Sequence, residues 1–174
     1  YFLMPLHMVG EWANYAMLGV RVASQAELAR EAAHCLPVGC LLYVKEHPLG
    51  FGHRANHFYR TIARTPRVRL IDPHEDVSAL IKHCRAVVTL GSTLGFEAWL
   101  SGRPVICWGD PWYGSFPGVY RADSPERLAW LMQNCDDLEL PKPCEIQRCV
   151  RGLFAISFEA DIAPVSRLVE EENV

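Results

Sequence analysis

The sequence lacks the features that mark membrane-spanning and nucleic-acid-binding proteins. It contains no run of about 18 apolar residues, so no segment could cross a bilayer as a helix. Its 17 Lys and Arg residues are outnumbered by 20 Asp and Glu residues, and they form no basic stripe that could neutralise a row of phosphates. The opening YFLMPLHMV has neither the positive start nor the small-residue cleavage site of a signal peptide, so we expect a cytoplasmic protein.

Cysteine pairs at metal-binding spacing are also absent from the sequence. The seven cysteines are odd in number, and no two are spaced as C-x-x-C. Several, such as Cys40 and Cys107, lie within apolar runs. This pattern is typical of buried, reduced thiols and fits no common zinc site, so we expect no metal.

The chain does contain enough apolar sequence for one hydrophobic core. Half of its 174 residues are hydrophobic, and this length is typical of a single domain. Because the chain begins with Tyr1 rather than Met, we expect it to be a piece of a longer protein.

Short apolar runs alternate with segments of helical periodicity along the chain. The predicted strands are Tyr1–Leu6, Cys40–Lys45, Val68–Ile71, Ala86–Leu90 and Val105–Trp108. The predicted helices are Ser24–Leu36, Arg54–Arg64, Asp76–His83, Thr93–Ser101, Ser124–Asn134 and about Glu145–Phe158. This alternation predicts an α/β fold, a Rossmann-like doubly wound parallel sheet with helices on both faces.

We assign residues 1–135 to the Rossmann-like domain and residues 136–174 to a linker with a C-terminal helix and tail. Doubly wound sheets bind ligands beyond the carboxyl ends of their strands. Residues that directly follow a predicted strand are therefore the candidate site residues.

The first candidate is the turn after the apolar run CLLYVK. His47 can donate a hydrogen bond or a positive charge to a phosphate, and Pro48 restricts the backbone of His47 to an extended conformation. Lys45 adds charge close by, and Arg54 is near enough in sequence to reach the same anion. The alternative is a His-Pro turn without a ligand.

The second candidate is the segment GSTLGFEA, which begins at Gly91 and forms a glycine turn followed by a helix start. The N–H groups of the helix N-terminus and the hydroxyls of Ser92 and Thr93 would form an anion site. Gly91 and Gly95 permit close approach of a ligand and of neighbouring backbone. Glu97 lies one helical turn further and could accept both hydroxyls of a ribose. The segment is neither a Walker A loop nor G-x-G-x-x-G, and the alternative is an ordinary capped helix.

Aromatic residues and one histidine complete the candidates. Trp108, Trp112 and Tyr113 surround Gly109 after a predicted strand and could stack on a base or a sugar ring, or could simply pack the sheet edge. His7 ends the first predicted strand and could touch a phosphate, although a lone histidine is more often structural. We expect the remaining histidines to lie at the surface: 34, 53, 57, 74 and 83.

Taken in order, these motifs resemble a known family. The segments PLH (5–7), LYVKEHP (42–48), GSTLGFEA (91–98) and GRPVICWGDPWY (102–113) are similar to the capsule polysaccharide biosynthesis family of bacterial glycosyltransferases. Its known members include β-Kdo transferases that use a CMP-activated donor, and the His-Pro and Ser/Glu motifs also resemble those of CMP-sialic acid-dependent bacterial sialyltransferases. The resemblance covers about Tyr1 to Leu131 and implies one half of a two-domain GT-B fold.

The resemblance implies that the chain binds a nucleotide sugar, with a CMP-sugar favoured and no metal required. His47 would contact the donor phosphate, and Ser92 with Thr93 would hold phosphate or nucleotide. Glu97 would hold the ribose, and His7 would lie near the reaction centre.

The resemblance also implies that the loop Trp108–Tyr113 lines the donor pocket. At one position the chain departs from the family, which often has Pro-Glu where this chain has Gly10-Glu11, so no role is carried over to Glu11.

The implied partners are a polysaccharide or glycolipid acceptor and a missing N-terminal domain that supplies the general base. We expect this chain alone to bind donor weakly without turnover, and we expect peripheral association with the inner face of the cytoplasmic membrane. Three alternatives stay open: a UDP-GlcNAc 2-epimerase-like enzyme of the same architecture, a non-catalytic nucleotide- or sugar-binding module, and a teichoic-acid-type glycerophosphotransferase. No residue by itself identifies the sugar, the base or the acceptor.

Overall fold

Strands and helices alternate along residues 1–8, 24–50 and 52–157, the part of the chain that the computed structural model describes. The strands are β1 Phe2–Pro5, β2 Leu42–Lys45, β3 Val68–Ile71, β4 Val87–Thr89, β5 Val105–Cys107 and β6 Val119–Arg121. The helices are α1 Gln25–Cys35, α2 Asn56–Arg64, α3 Val77–His83, α4 Thr93–Leu100, α5 Pro125–Gln133 and α6 Pro143–Ile156. Among these helices, none has the length and apolar character needed to cross a membrane.

The six strands form one parallel sheet in the order β3-β2-β1-β4-β5-β6. The predicted fold class, a doubly wound parallel sheet, is confirmed. The chain winds outward from β1 to β3, returns to the centre at β4, and winds the other way to β6. The neighbours β1 and β4 therefore form the switch point of the sheet.

Two apolar layers cover the two faces of the sheet. Side chains alternate along β1, so Phe2 and Met4 face one layer while Leu3 faces the other. Helices α1, α2 and α5 cover the first face through residues that include Leu28, Ile62 and Leu128. Helices α3, α4 and α6 cover the second face through residues that include Leu80, Trp99 and Ile146.

Serine caps set two helix starts where the sequence predicts them. Ser24 Oγ accepts the N–H of Glu27 at 3.2 Å, and Ser124 Oγ accepts the N–H of Arg127 at 3.1 Å. Such caps contribute about 1 kcal/mol each to stability.

The sequence prediction of five strands is wrong in number, because β6 is a sixth strand. Unlike β4 and β5, which are equally short but wholly buried, β6 is partly exposed and ends in Arg121, so no local apolar run identifies it. Its pairing with β5, in which Val105 aligns with Val119, establishes it as the edge strand.

The segment predicted as a linker packs against this edge strand. Leu138 is buried, and the Tyr120 hydroxyl donates to the Glu139 carbonyl at 2.7 Å. Pro141 lies so close to Gly118 that a Cβ there would come within 2.5 Å of the proline ring. Helix α6 begins at Pro143, two residues before its predicted start, because proline suits the first helical position.

Arg67 combines backbone strain with a side chain that caps α1, which gives a testable stability effect. Its φ is 63°, and its guanidinium donates to the carbonyls of Ala33, Leu36 and Pro37 at 2.9 to 3.2 Å. We expect Arg67→Ala to lower the free energy of unfolding by about 1–2 kcal/mol in urea titrations. Arg67→Gly should lose about 1 kcal/mol less, since glycine adopts positive φ without a steric cost. Equal losses of unfolding free energy in the two variants would show that the positive φ of Arg67 carries no strain.

Candidate functional site

A cleft of about 550 Å³ opens at the carboxyl edge of the sheet, at the switch point between β1 and β4. It is lined by the segments that follow four strands, residues 5–8, 45–48, 73–75 and 91–94, together with Val77 and Glu97. The structure thus brings together these predicted site residues: His7, Lys45, His47, Pro48, Gly91, Ser92, Thr93 and Glu97.

One buried hydroxyl organises the turn after β4. Thr89 Oγ1 accepts the backbone N–H groups of Gly91 at 3.1 Å and Ser92 at 3.0 Å, and donates to Ser92 Oγ at 3.0 Å. Gly91 has a φ of 147°, which residues with a side chain rarely adopt, so the turn requires glycine. The N–H groups of Gly91 and Ser92 are therefore directed at Thr89 and not at a ligand.

The first turn of α4 supplies the N–H groups that a ligand can use. Ser92 is the N-cap, and its Oγ accepts the N–H of Gly95 at 3.2 Å. The first N–H groups of a helix have no partner within the helix, so Thr93 and Leu94, which line the cleft, can present theirs to an anion. The positive end of the helix dipole favours the same ligand.

Tyr113 and Gly95 pack against this turn on the side away from the cleft, and neither residue lines the cleft. The fully buried Tyr113 donates its hydroxyl to the Ser92 carbonyl at 2.7 Å. A Cβ on Gly95 would lie 2.5 Å from that hydroxyl oxygen and 3.0 Å from Thr89 Cγ2, so glycine is what allows the ring so close. Burial raises the pKa of Tyr113 far above its ordinary value, so its hydroxyl keeps its proton and remains a donor.

The loop predicted to line the donor pocket places its first residues elsewhere. Trp108 is buried in the core layer beneath α1, α2 and α5, because strand alternation turns it to that face, and Gly109 is buried beside it. Trp112 is the exposed ring of this loop, with 58% of its surface accessible and its centroid 4.8 Å from that of Phe96.

The imidazole of His47 is oriented by its own turn. The N–H of Leu49 donates to His47 Nδ1 at 3.2 Å, within the short 3-10 turn Pro48–Gly50. Because Nδ1 accepts a hydrogen bond, the neutral ring carries its proton on Nε2. His47 lines the cleft, so this tautomer can offer an Nε2–H donor to a ligand.

His7 reaches the cleft as a buried, neutral imidazole. His7 is only 8% exposed, and its backbone N–H donates to Gln25 Oε1 at 2.7 Å. Burial, then the charges of Arg54 and His47, lower the pKa of His7 to about 4. At neutral pH His7 can exchange hydrogen bonds but cannot supply a positive charge.

The two predicted cations of the site are already engaged. Lys45 is 3% exposed and donates its ammonium to the Pro73 carbonyl at 2.6 Å, and burial lowers its pKa. Arg54 forms an ion pair with Glu46, with Nε and Oε2 2.7 Å apart, and does not line the cleft. Gly10 and Glu11 lie outside the described residues.

One wall of the cleft is missing from the sequence prediction. Residues 73–75 follow β3 and line the cleft, so His74, predicted only as a surface residue, belongs to this wall as well. Asp72 shapes the loop by accepting the His74 N–H at 2.8 Å. Applying the strand-end rule to the predicted strand Val68–Ile71 would have identified it.

Glu46 is the second site residue that is not predicted from the sequence. It lies in the chain between Lys45 and His47, which are both predicted as site residues. It is buried to 3% exposure and accepts four hydrogen bonds. Within the described residues, no three or more His, Cys, Asp or Glu side chains are grouped to hold a metal ion.

The close approach of Gly95 to Tyr113 can be tested by a double-mutant cycle. Gly95→Ala should lower the free energy of unfolding by about 1–3 kcal/mol, because the added Cβ displaces the Tyr113 hydroxyl. Tyr113→Phe removes that oxygen, so the double variant should be more stable than the sum of the single losses predicts. Strictly additive losses in urea titrations would show that the two residues do not interact.

The lowered pKa of His7 predicts a pH dependence of stability. Above pH 6.5 the imidazole is neutral in both states, and its effect is zero. As the pH falls from 6.5 to about 4, the unfolded state binds a proton that the folded state does not, so stability decreases. Subtracting the pH–stability curve of His7→Gln should isolate this decrease, and parallel curves for both proteins would contradict it.

Comparisons of sequence connect this chain to known proteins. The family described as capsule polysaccharide biosynthesis protein matches residues 14–143. The chain is 35% identical over 91 residues to Protein FixF of Sinorhizobium fredii, covering 51% of this chain and 21% of that protein. It is 31% identical over 85 residues to the capsule polysaccharide modification protein LipA of Neisseria meningitidis serogroup B, covering 49% of this chain and 12% of that protein.

Solved structures share the fold. The KpsC β Kdo 2,7 transferase of Thermosulfurimonas dismutans superposes with a TM-score of 0.52 at 18% identity, over 74% of this chain and 42% of that one. The KpsC β Kdo 2,4 transferase of the same organism gives a TM-score of 0.54 at 21% identity, over 83% and 41%. This chain thus spans less than half of the proteins it matches. Because the family match extends over most of its length, the chain belongs to the capsule polysaccharide biosynthesis protein family.

Proposed function

We propose that this chain is the donor-binding part of a glycosyltransferase that takes a CMP-activated sugar. Its family, and its fold likeness to proteins named as Kdo transferases, support a role in the synthesis of bacterial capsule or surface polysaccharide. The observation that carries the proposal is a cleft whose described lining offers the His47 ring and the N–H groups at the start of α4 as hydrogen-bond donors, with Lys45 as its one permanently cationic side chain.

Glycosyl transfer from a nucleotide sugar needs stabilisation of the charge that develops on the leaving phosphate. In this cleft that role falls to His47 Nε2–H and to the N–H groups of Thr93 and Leu94 at the start of α4. These donors are fixed by the turns that carry them, so they need little reorganisation during the reaction. Such an arrangement can act without a metal.

The charge balance of the cleft favours a phosphate with a single charge. Among the described residues that line it, Lys45 is the only permanent cation, and its ammonium is used by Pro73. Glu75 and Glu97 add negative charge to the same lining. The phosphodiester of a CMP-sugar carries one negative charge, whereas the pyrophosphate of a UDP- or GDP-sugar carries two and would gain less here.

Glu97 fits the role of a ribose acceptor. It lies four residues after Thr93 on α4, hence on the same helix face, and its side chain is exposed at the cleft. A carboxylate has two oxygens and can accept both ribose hydroxyls.

The acceptor and its general base belong, in this proposal, to another part of the protein. His7 faces the reaction centre as a neutral imidazole, but a group with a pKa of about 4 is a weak base for a sugar hydroxyl. This chain covers only 42% and 41% of the two transferase structures, so the remaining chain is where we place the polysaccharide or glycolipid acceptor site. We place the reaction at the inner face of the cytoplasmic membrane.

Calorimetry and thermal shift with CMP, CDP, UDP and GDP test this proposal on the 174-residue chain. CMP at about 100 times its dissociation constant should raise the melting temperature by roughly 5–10 °C, and the diphosphates should bind more weakly. His47→Ala and Glu97→Ala should each weaken CMP binding about tenfold, by loss of one hydrogen-bonding group.

The control is His34→Ala, which removes an exposed histidine of α1 outside the cleft and should bind CMP as the unmodified chain does. Tighter binding of UDP than of CMP would reject the CMP donor and favour an epimerase or a hexose transferase. Binding that His47→Ala and Glu97→Ala leave intact would place the nucleotide elsewhere.

A further inference from the structure

A buried carboxylate connects two of the three histidines that line the cleft among the described residues, His7 and His47. Glu46 Oε1 accepts the backbone N–H of His47 at 2.7 Å and Nη2 of Arg54 at 3.4 Å. Glu46 Oε2 accepts Nε of Arg54 at 2.7 Å and the hydroxyl of Tyr59 at 2.8 Å. An ionised carboxylate offers about four lone-pair sites, so these four bonds use its full capacity.

Arg54 extends this network to the second histidine. Its Nη2 also donates to the backbone carbonyl of His7, while its guanidinium lies 4.6 Å from the centre of the Phe58 ring. Because a guanidinium is planar and presents its donors in a fixed fork, its bonds to Glu46 and to His7 are coupled. We call Glu46, Arg54 and Tyr59 the Glu46 clamp.

We propose that Glu46 is a positioning residue that sets the placement of His47 relative to His7. Through the Glu46 clamp it joins the turn after β2 to the loop after β1, which bring His47 and His7 to the cleft. The consequence for nucleotide binding rests on the proposed function, whereas the coupling between the two histidines does not.

The geometry favours positioning over simple stabilisation. A buried ion pair contributes little net stability, because desolvation offsets the attraction between its charges. Here each partner of the pair also bonds to the backbone of a cleft histidine, which a purely stabilising pair would not require. Gly50 adds a further constraint, since a Cβ there would come within 2.7 Å of Glu46 Oε1.

Histidine ring resonances in NMR spectra of the ligand-free, full 174-residue chain test the coupling. Glu46→Gln keeps the size of the side chain but removes its charge, which leaves Arg54 uncompensated near His7. We expect the ring signals of both His7 and His47 to move, and the titration midpoint of His7 to fall below its unmodified value.

Two tyrosine variants form a matched pair of controls. Tyr59→Phe removes one hydroxyl bond to the Glu46 clamp and should move both histidine signals in the same direction by less. Tyr120→Phe removes one hydroxyl bond to Glu139 at the opposite edge of the sheet and should move neither. If Glu46→Gln does not fold, Tyr59→Phe carries the same test with the ion pair intact.

CMP affinity gives the second measurement. Glu46→Gln should weaken CMP binding about tenfold to a hundredfold through misplacement of His47, and Tyr120→Phe should bind normally. Unmoved histidine signals, or a lower melting temperature with no change at either histidine, would overturn the positioning role. Histidine signals that move in a chain that binds no CMP would support the clamp and reject the proposed function.

Discussion

The central pairing of β1 with both β2 and β4 is the constraint on which the site depends. Leu3 aligns with Tyr43 on one side and with Val87 on the other, so three strands end at one edge of the sheet. Helix α1 covers one face and helix α4, which follows β4, covers the other, which leaves a gap between them. The order of the strands therefore creates the cleft, and the turns at its rim supply the groups that can bind a ligand.

In the described part of the cleft, the groups that can bind an anion are dipoles more than charges. Lys45 and Arg54 are engaged by a carbonyl and a carboxylate, and burial keeps His7 neutral at neutral pH. Within the described part of the chain, the groups available to a ligand include N–H groups directed by the turns around His47 and Ser92. Fixed dipoles in a partly desolvated site stabilise an anion effectively, and they do so without the strong attraction for multiply charged ligands that free cations would create.

Buried and partly buried hydroxyls hold these turns in a fixed geometry. Thr89 and Tyr113 fix the turn that starts α4, and Tyr59 supports the carboxylate behind His47. Each hydroxyl is bonded to a backbone or carboxylate group that would be costly to leave unsatisfied in the interior. A site whose supporting groups are themselves fixed can maintain its donors within the narrow tolerance that binding requires.

The sequence by itself determined the doubly wound sheet, most of its elements and the motifs at His47 and Ser92, because periodicity, capping and strand-end position are local properties. Tertiary structure decided the edge strand β6, the burial of Trp108 and the roles of Glu46 and Tyr113. These depend on partners far apart in the chain, since Arg54 reaches His7 across 47 residues and Tyr113 reaches Ser92 across 21. No local pattern records which buried groups will meet, so the pKa of His7 and the charge balance of the cleft follow only from the folded arrangement.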